Sequence, residues 1–119
     1  MTPGPERLTE GDLDDALWRL LSASDRDDPV AFTAEYDHAA GALDAATDPR
    51  WVAWRYALAA RRALVDGDRE AVEAGVSAGR DALGRCLPDA QTALTLAYLA
   101  HVEVAADHVD AAMMLAMSR

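Results

Sequence analysis

Val65-Asp-Gly-Asp-Arg-Glu-Ala-Val-Glu-Ala-Gly-Val-Ser-Ala-Gly-Arg80 lies over Val104-Ala-Ala-Asp-His-Val-Asp-Ala-Ala-Met-Met-Leu-Ala-Met-Ser-Arg119 at an offset of 39 residues (65 to 104). Val65 meets Val104, Asp68 meets Asp107, and Arg80 meets Arg119. Each copy reads as the end of one helix, an Asp cap and the whole of a second helix. Self-similarity at such a period is the mark of stacked helical hairpins, because one hairpin cannot bury its apolar face alone. The stretches at about 49–84 and 89–119 therefore read as two copies of one helical hairpin.

The helix signals spread outward from that repeat. Thr9 with Asp12 approaches a capping box, and Leu13, Leu17, Leu20 and Leu21 form a helical stripe, placing helix 1 at about 10–24. Asp28-Pro29 and Asp48-Pro49 each put an N-cap before a proline at the first helical position, where a missing N–H costs nothing. Helix 2 follows over about 29–46 and helix 3 over about 49–65. Gly67 supplies a left-handed stop and Asp68 caps helix 4, about 69–84. Helix 5 is expected over about 89–105. Asp107 is expected to cap helix 6, running from about 108 to the C-terminus. β-branched residues never alternate usefully with polar ones. The expectation is an all-α domain of about six antiparallel helices. A disordered tail at 1–8 precedes one domain over 9–119, with hairpins at about 9–46, 49–84 and 89–119.

Composition bounds the function. Of 119 residues, 27 are Ala, 11 are Arg and none is Lys, Ile or Asn, a bias that suits a very GC-rich genome. A formal charge of −10 repels phosphate backbones, and Arg61-Arg62 is the longest basic run, so nucleic acid is not an expected partner. An anionic membrane surface is disfavoured for the same reason. Cys86 is the single cysteine, so no intrachain disulfide can form. The N-terminus has neither a basic nor an apolar leader region, and the expected location is cytoplasmic.

The candidate chemistry is thin. Gly75-Val-Ser77-Ala-Gly79 matches the G-x-S-x-G nucleophile elbow, which requires a strand-to-helix turn. Here it falls mid-helix, where the two glycines serve close packing instead. His38, His101 and His108 could suggest a helical-bundle metal site of the DinB type. No H-x-x-x-H or E-x-x-H pair sets two ligands on one helix face, and Glu103 lies only two residues from His101. Asp25-Arg-Asp-Asp28 lacks the Gly and Glu that an EF-hand loop needs at its sixth and twelfth positions; Val30 and Tyr36 stand there. Cys86 reads as an unexceptional loop thiol. No catalytic residue, cofactor or metal is expected, and the chain is read as a non-enzyme.

Leu58-Ala59-Ala60, Gly67-Asp68 and Ala71 resemble the tetratricopeptide-repeat (TPR) family, as do Leu99-Ala100, Asp107 and Asp110-Ala-Ala112. The likeness spans about 49–119, and more weakly 8–48. The period of 39–40 departs from the family's 34, the closing proline is missing or late (Pro88), and the packing Tyr is not clear. The resemblance implies a right-handed solenoid whose concave face binds a protein or peptide. In that register Trp54, Arg61, Tyr98 and His101 face the groove, and aromatic and Arg side chains are the usual binding anchors. The competing reading of Trp51 and Trp54 is plain core. The Ala/Asp/Arg-rich texture also resembles the N-terminal sensory or dimerisation regions of actinobacterial signalling proteins, such as GGDEF diguanylate cyclases and transcriptional regulators. A small metal-dependent helical-bundle enzyme or ligand-binder is the reading from another class.

Ala111-Ala-Met-Met-Leu-Ala-Met117 is apolar all round, and such a helix needs cover on every side. Either more chain follows Arg119, or a second subunit covers Met113, Met114 and Met117, or the rest of the fold wraps them. The expectation is a fragment of a longer chain, or a homodimer through the last helix.

Overall fold

A computed structural model describes residues 10–118. The expected tail at 1–8 and the Thr9 cap lie outside the described residues. Those residues form five helices and no strand: α1 (Glu10–Asp25), α2 (Pro29–Ala45), α3 (Pro49–Asp66), α4 (Arg69–Leu83) and α5 (Ala90–Met117). The chain divides into two compact units, Met1–Ala46 and Thr47–Arg119.

Four helices start on aspartate. The carboxylates of Asp28, Asp48, Asp68 and Asp89 accept the N–H of Ala31 (3.1 Å), Arg50 (2.9 Å), Ala71 (3.1 Å) and Thr92 (2.8 Å). Each satisfies one donor that the first turn would otherwise leave open, an effect of about 1 kcal/mol. Gly67 takes the left-handed conformation (φ 74°) that ends α3, and its N–H reaches back to the carbonyls of Ala63 and Leu64. Asp27 is the non-glycine residue at positive φ (52°), in the turn between α1 and α2.

In the first unit α1 packs on α2. Leu13, Leu17 and Leu20 from α1 are buried, as are Phe32, Ala39 and Leu43 from α2. The Arg19 guanidinium donates to Glu35 across the pair at 3.0 Å.

In the second unit α3, α4 and α5 pack mutually. Trp51, Trp54, Ala57, Leu58 and Ala60 line the buried side of α3, with Val72 and Val76 from α4. Thr95, Leu99, Val102 and Ala106 from α5 complete the core. The α3–α4 crossing is close because Gly75 faces α3. A Cβ at Gly75 would stand 2.9 Å from Ala60 Cβ and 3.0 Å from the Tyr56 carbonyl oxygen.

The expected break at Asp107 is absent, which corrects the count of six helices to five. The 39-residue likeness is one of sequence and not of conformation. Gly67 turns the chain in the first copy, whereas Ala106 stands at the matching place in the second. Ala105-Ala106-Asp107-His108 has neither Gly nor Pro, and alanine is the strongest helix former. So α5 runs on through 28 residues, and the segment at 89–119 is not a hairpin.

Candidate functional site

Residues 107–118 are all exposed, although helix continues through Met117. The cause is length. At 1.5 Å per residue, α5 spans roughly 42 Å against roughly 27 Å for α3 and 22 Å for α4. The buried seam of α5 runs at spacings of three and four through Thr95, Leu99, Val102 and Ala106, each at most 1% exposed. The same register continues into Val109 (44% exposed) and Met113 (59%). Met114, Leu115 and Met117 beside them are 71%, 66% and 83% exposed. Within the second unit α3 and α4 do not wrap these side chains, the third alternative drawn from the sequence. Met113, Met114 and Met117, named from the sequence as an edge, are uncovered.

The other four named residues are placed differently. Trp54 and Tyr98 are 2% and 6% exposed, with ring centroids 5.6 Å apart across the α3–α5 contact. Arg61 is 7% exposed. These three are packed inside and do not stand on an open groove. The size and apolar faces of the two rings gain more free energy in the core than at the surface. His101 is exposed, stacked on Tyr98 at 6.4 Å. Trp54, Tyr98 and His101 do lie together, but Trp54 and Tyr98 are buried where a groove-facing position was expected, while His101 is exposed.

An ion-pair cluster, which sequence reasoning missed, sits where α4 meets α5. Arg69 donates to Asp107 (3.1 Å) and Glu73 (3.2 Å), and lies 3.4 Å from Asp110. Arg80 pairs with Glu103. The hydrogen bond to Asp107 is the main reason that the Arg69 guanidinium holds its proton more firmly than usual. A groove of about 360 Å³ runs between α4 and α5 past Arg69, Glu73, Ser77, Arg80, Glu103 and Asp107. The signal for it was the 38-residue separation of Arg69 and Asp107, hidden because Asp107 read as a helix cap.

Ser77 lies mid-α4 on an exposed face, not on a strand-to-helix turn. His38 belongs to the first unit, and His101 and His108 to the second. Among the described residues no three His, Cys, Asp or Glu side chains gather as a metal ion requires. The Cys86 Sγ–H donates to the Ala82 carbonyl (3.5 Å), and burial, then Asp48 and Asp89, push its thiol above the ordinary range. Among the described residues no helix is long and apolar enough to cross a membrane.

Comparison with known protein families, curated proteins and solved structures finds no match to this chain.

Proposed function

We propose that this chain is a non-catalytic, TPR-like helical module that works by protein–protein contact, in a regulatory or scaffolding role in the cytoplasm. One observation carries the reading: the last two turns of α5, Ala111–Met117, are helical, apolar and exposed. Contiguous exposed apolar surface of several hundred Å² marks interaction sites on soluble proteins. The partner is a protein or peptide that presents an apolar face to Val109, Met113 and Met117. Close crossing of α3 and α4 over Gly75 and Ala60 supports the TPR-like comparison, since small residues serve that purpose in the family the sequence resembles. A place in the N-terminal, sensory part of a larger signalling protein fits the same surface.

The test is a Met113→Glu/Met117→Glu double variant. Both side chains are exposed, so helicity and thermal midpoint should stay at the wild-type values. Proteins retained by the wild-type chain from its source cell should be lost from the variant, and binding of an environment-sensitive dye should fall. Equal retention and equal dye binding by the two chains would sink the proposal.

A further inference from the structure

A second face of α5 has an order of its own. Leu94, Ala97, His101, Val104, His108, Ala111 and Leu115 succeed one another at alternating spacings of three and four residues. That alternation is the seam of a coiled coil. It lies on the opposite side of α5 from the buried line of Thr95, Leu99, Val102 and Ala106. All seven positions are exposed, Leu94 at 39%, Val104 at 53% and Leu115 at 66%. A surface helix of a monomer normally carries its charges there.

The charges of α5 are elsewhere. Glu103, Asp107 and Asp110 all turn toward α4, where Arg80 and Arg69 pair with them. On a chain of net charge −10, the seam is a strip free of acidic side chains. Two copies can approach along it without bringing carboxylates together.

The seam also reads the same in both directions: Leu, Ala, His, Val, His, Ala, Leu. Turned end for end about Val104, Leu94 meets Leu115, Ala97 meets Ala111, and His101 meets His108. Such self-complementarity is what a two-fold, isologous contact requires. From 94 to 115 the strip is about 33 Å long, and two helices touching along it bury on the order of 600 Å² each, near the lower limit for a stable specific interface.

We infer that α5 pairs antiparallel with α5 of a second copy, about a two-fold axis at Val104. The inference shares with the proposed function only the premise that α5 is the interacting helix. It uses the face opposite Val109 and Met113, so the two can fail separately.

Sedimentation equilibrium of the full chain across the micromolar range should show a monomer–dimer equilibrium. Val104→Glu sets two carboxylates on the axis and should weaken the dimer about tenfold or more, with unchanged helicity. His101→Glu/His108→Lys puts opposite charges across each antiparallel layer and should keep the dimer; a parallel pair would set like against like and lose it. On a Cys86→Ser background, Val104→Cys should cross-link to a covalent dimer on mild oxidation. A chain that stays monomeric throughout overturns the inference, as does a dimer indifferent to Val104→Glu. A dimer lost only in Met113→Glu/Met117→Glu also overturns it, by moving self-association to the other face, and leaves the proposed function standing.

Discussion

Gly75→Ala tests whether α3 and α4 cross as closely as the structure requires. Alanine in a helix interior is favoured over glycine by about 1 kcal/mol, so propensity alone predicts stabilisation. The new methyl, however, would stand 2.9 Å from Ala60 Cβ, 3.0 Å from the Tyr56 carbonyl oxygen and 3.2 Å from Ala60 Cα. Carbon atoms rest at about 3.5–4.0 Å, and retreat by 0.5–1 Å forfeits a quarter to a half of each contact's attraction. None of the three atoms sits on a side chain that can swing aside, so α4 must withdraw from α3. Overpacking of this kind costs about 1–3 kcal/mol. We take the upper end, because withdrawal also loosens Val72 and Val76, both buried against the core. The net loss is then about 2 kcal/mol, or roughly 8–16 °C in midpoint for a unit of this size. Two controls share the chemistry and differ in surroundings. Gly79→Ala presses on the flexible end of Leu99, Cδ2 at 3.1 Å and Cδ1 at 3.3 Å, meets Tyr56 Cβ at an ordinary 3.6 Å, and should fall within about 1 kcal/mol of wild type. Gly41→Ala in α2 meets nothing within 4 Å and should gain about 0.5–1 kcal/mol. Urea unfolding followed by Trp51 and Trp54 fluorescence, in a Trp18→Phe background, reads the second unit; circular dichroism reads Gly41→Ala. A Gly75→Ala variant at or above the wild-type midpoint, or no weaker than Gly79→Ala, would refute the reasoning.

Two further outcomes follow from the ionisable groups. The hydrogen bond from the Thr92 N–H is the main reason that the Asp89 carboxyl lies below its ordinary value of 3.8. Its contribution to stability is therefore complete above that value and is lost as pH falls through the lower folded value; Asp89→Asn should keep the cap and flatten the stability–pH curve only in that acid window, as acid titration of unfolding would show. Burial, then Asp48 and Asp89, raise the Cys86 thiol, so less thiolate is present at any given pH. Alkylation of Cys86 in the folded chain should lag behind that in urea at pH 8 and catch up only in more alkaline buffer; equal rates at pH 8 would count against the buried setting.

The helices were legible because their starts are written in local chemistry. Asp28, Asp48 and Asp68 cap α2, α3 and α4 as their sequence contexts predict, and Gly67 ends α3 with the positive φ that only its lack of a Cβ makes cheap. The same reasoning misread Asp107, since an aspartate is an N-cap only where the chain before it leaves the helix. Ala105 and Ala106 give it no reason to leave, and Arg69, distant in sequence, gives the carboxylate a better partner. Trp54 and Tyr98 show a different limit. Helical spacing sets Trp54 with Trp51 and Leu58 along α3, and Tyr98 with His101 along α5, but does not say which side of either helix meets a neighbour; that depends on where the third helix lies. The uncovered methionines were visible as a run of apolar residues, because no face of Ala111–Met117 is polar. That α3 and α4 stop short of them was not visible, because it depends on where the three helices lie alongside one another.

The overhanging end of α5 has a consequence for rates and populations. Beyond Asp110, the last residue that Arg69 reaches, its final turns keep their backbone hydrogen bonds without tertiary packing, and a segment that short holds only marginal helix in water. Amide exchange should therefore be slow up to Ala106 and fastest beyond Asp110, along one unbroken helix. Whatever docks on Met113 and Met117 meets a helix formed only part of the time, so its apparent affinity is the intrinsic one scaled by that fraction. A helix-favouring substitution at His108, which lies on the self-pairing seam and not on the Met113–Met117 face, would then tighten docking on Met113 and Met117 without touching that occupant.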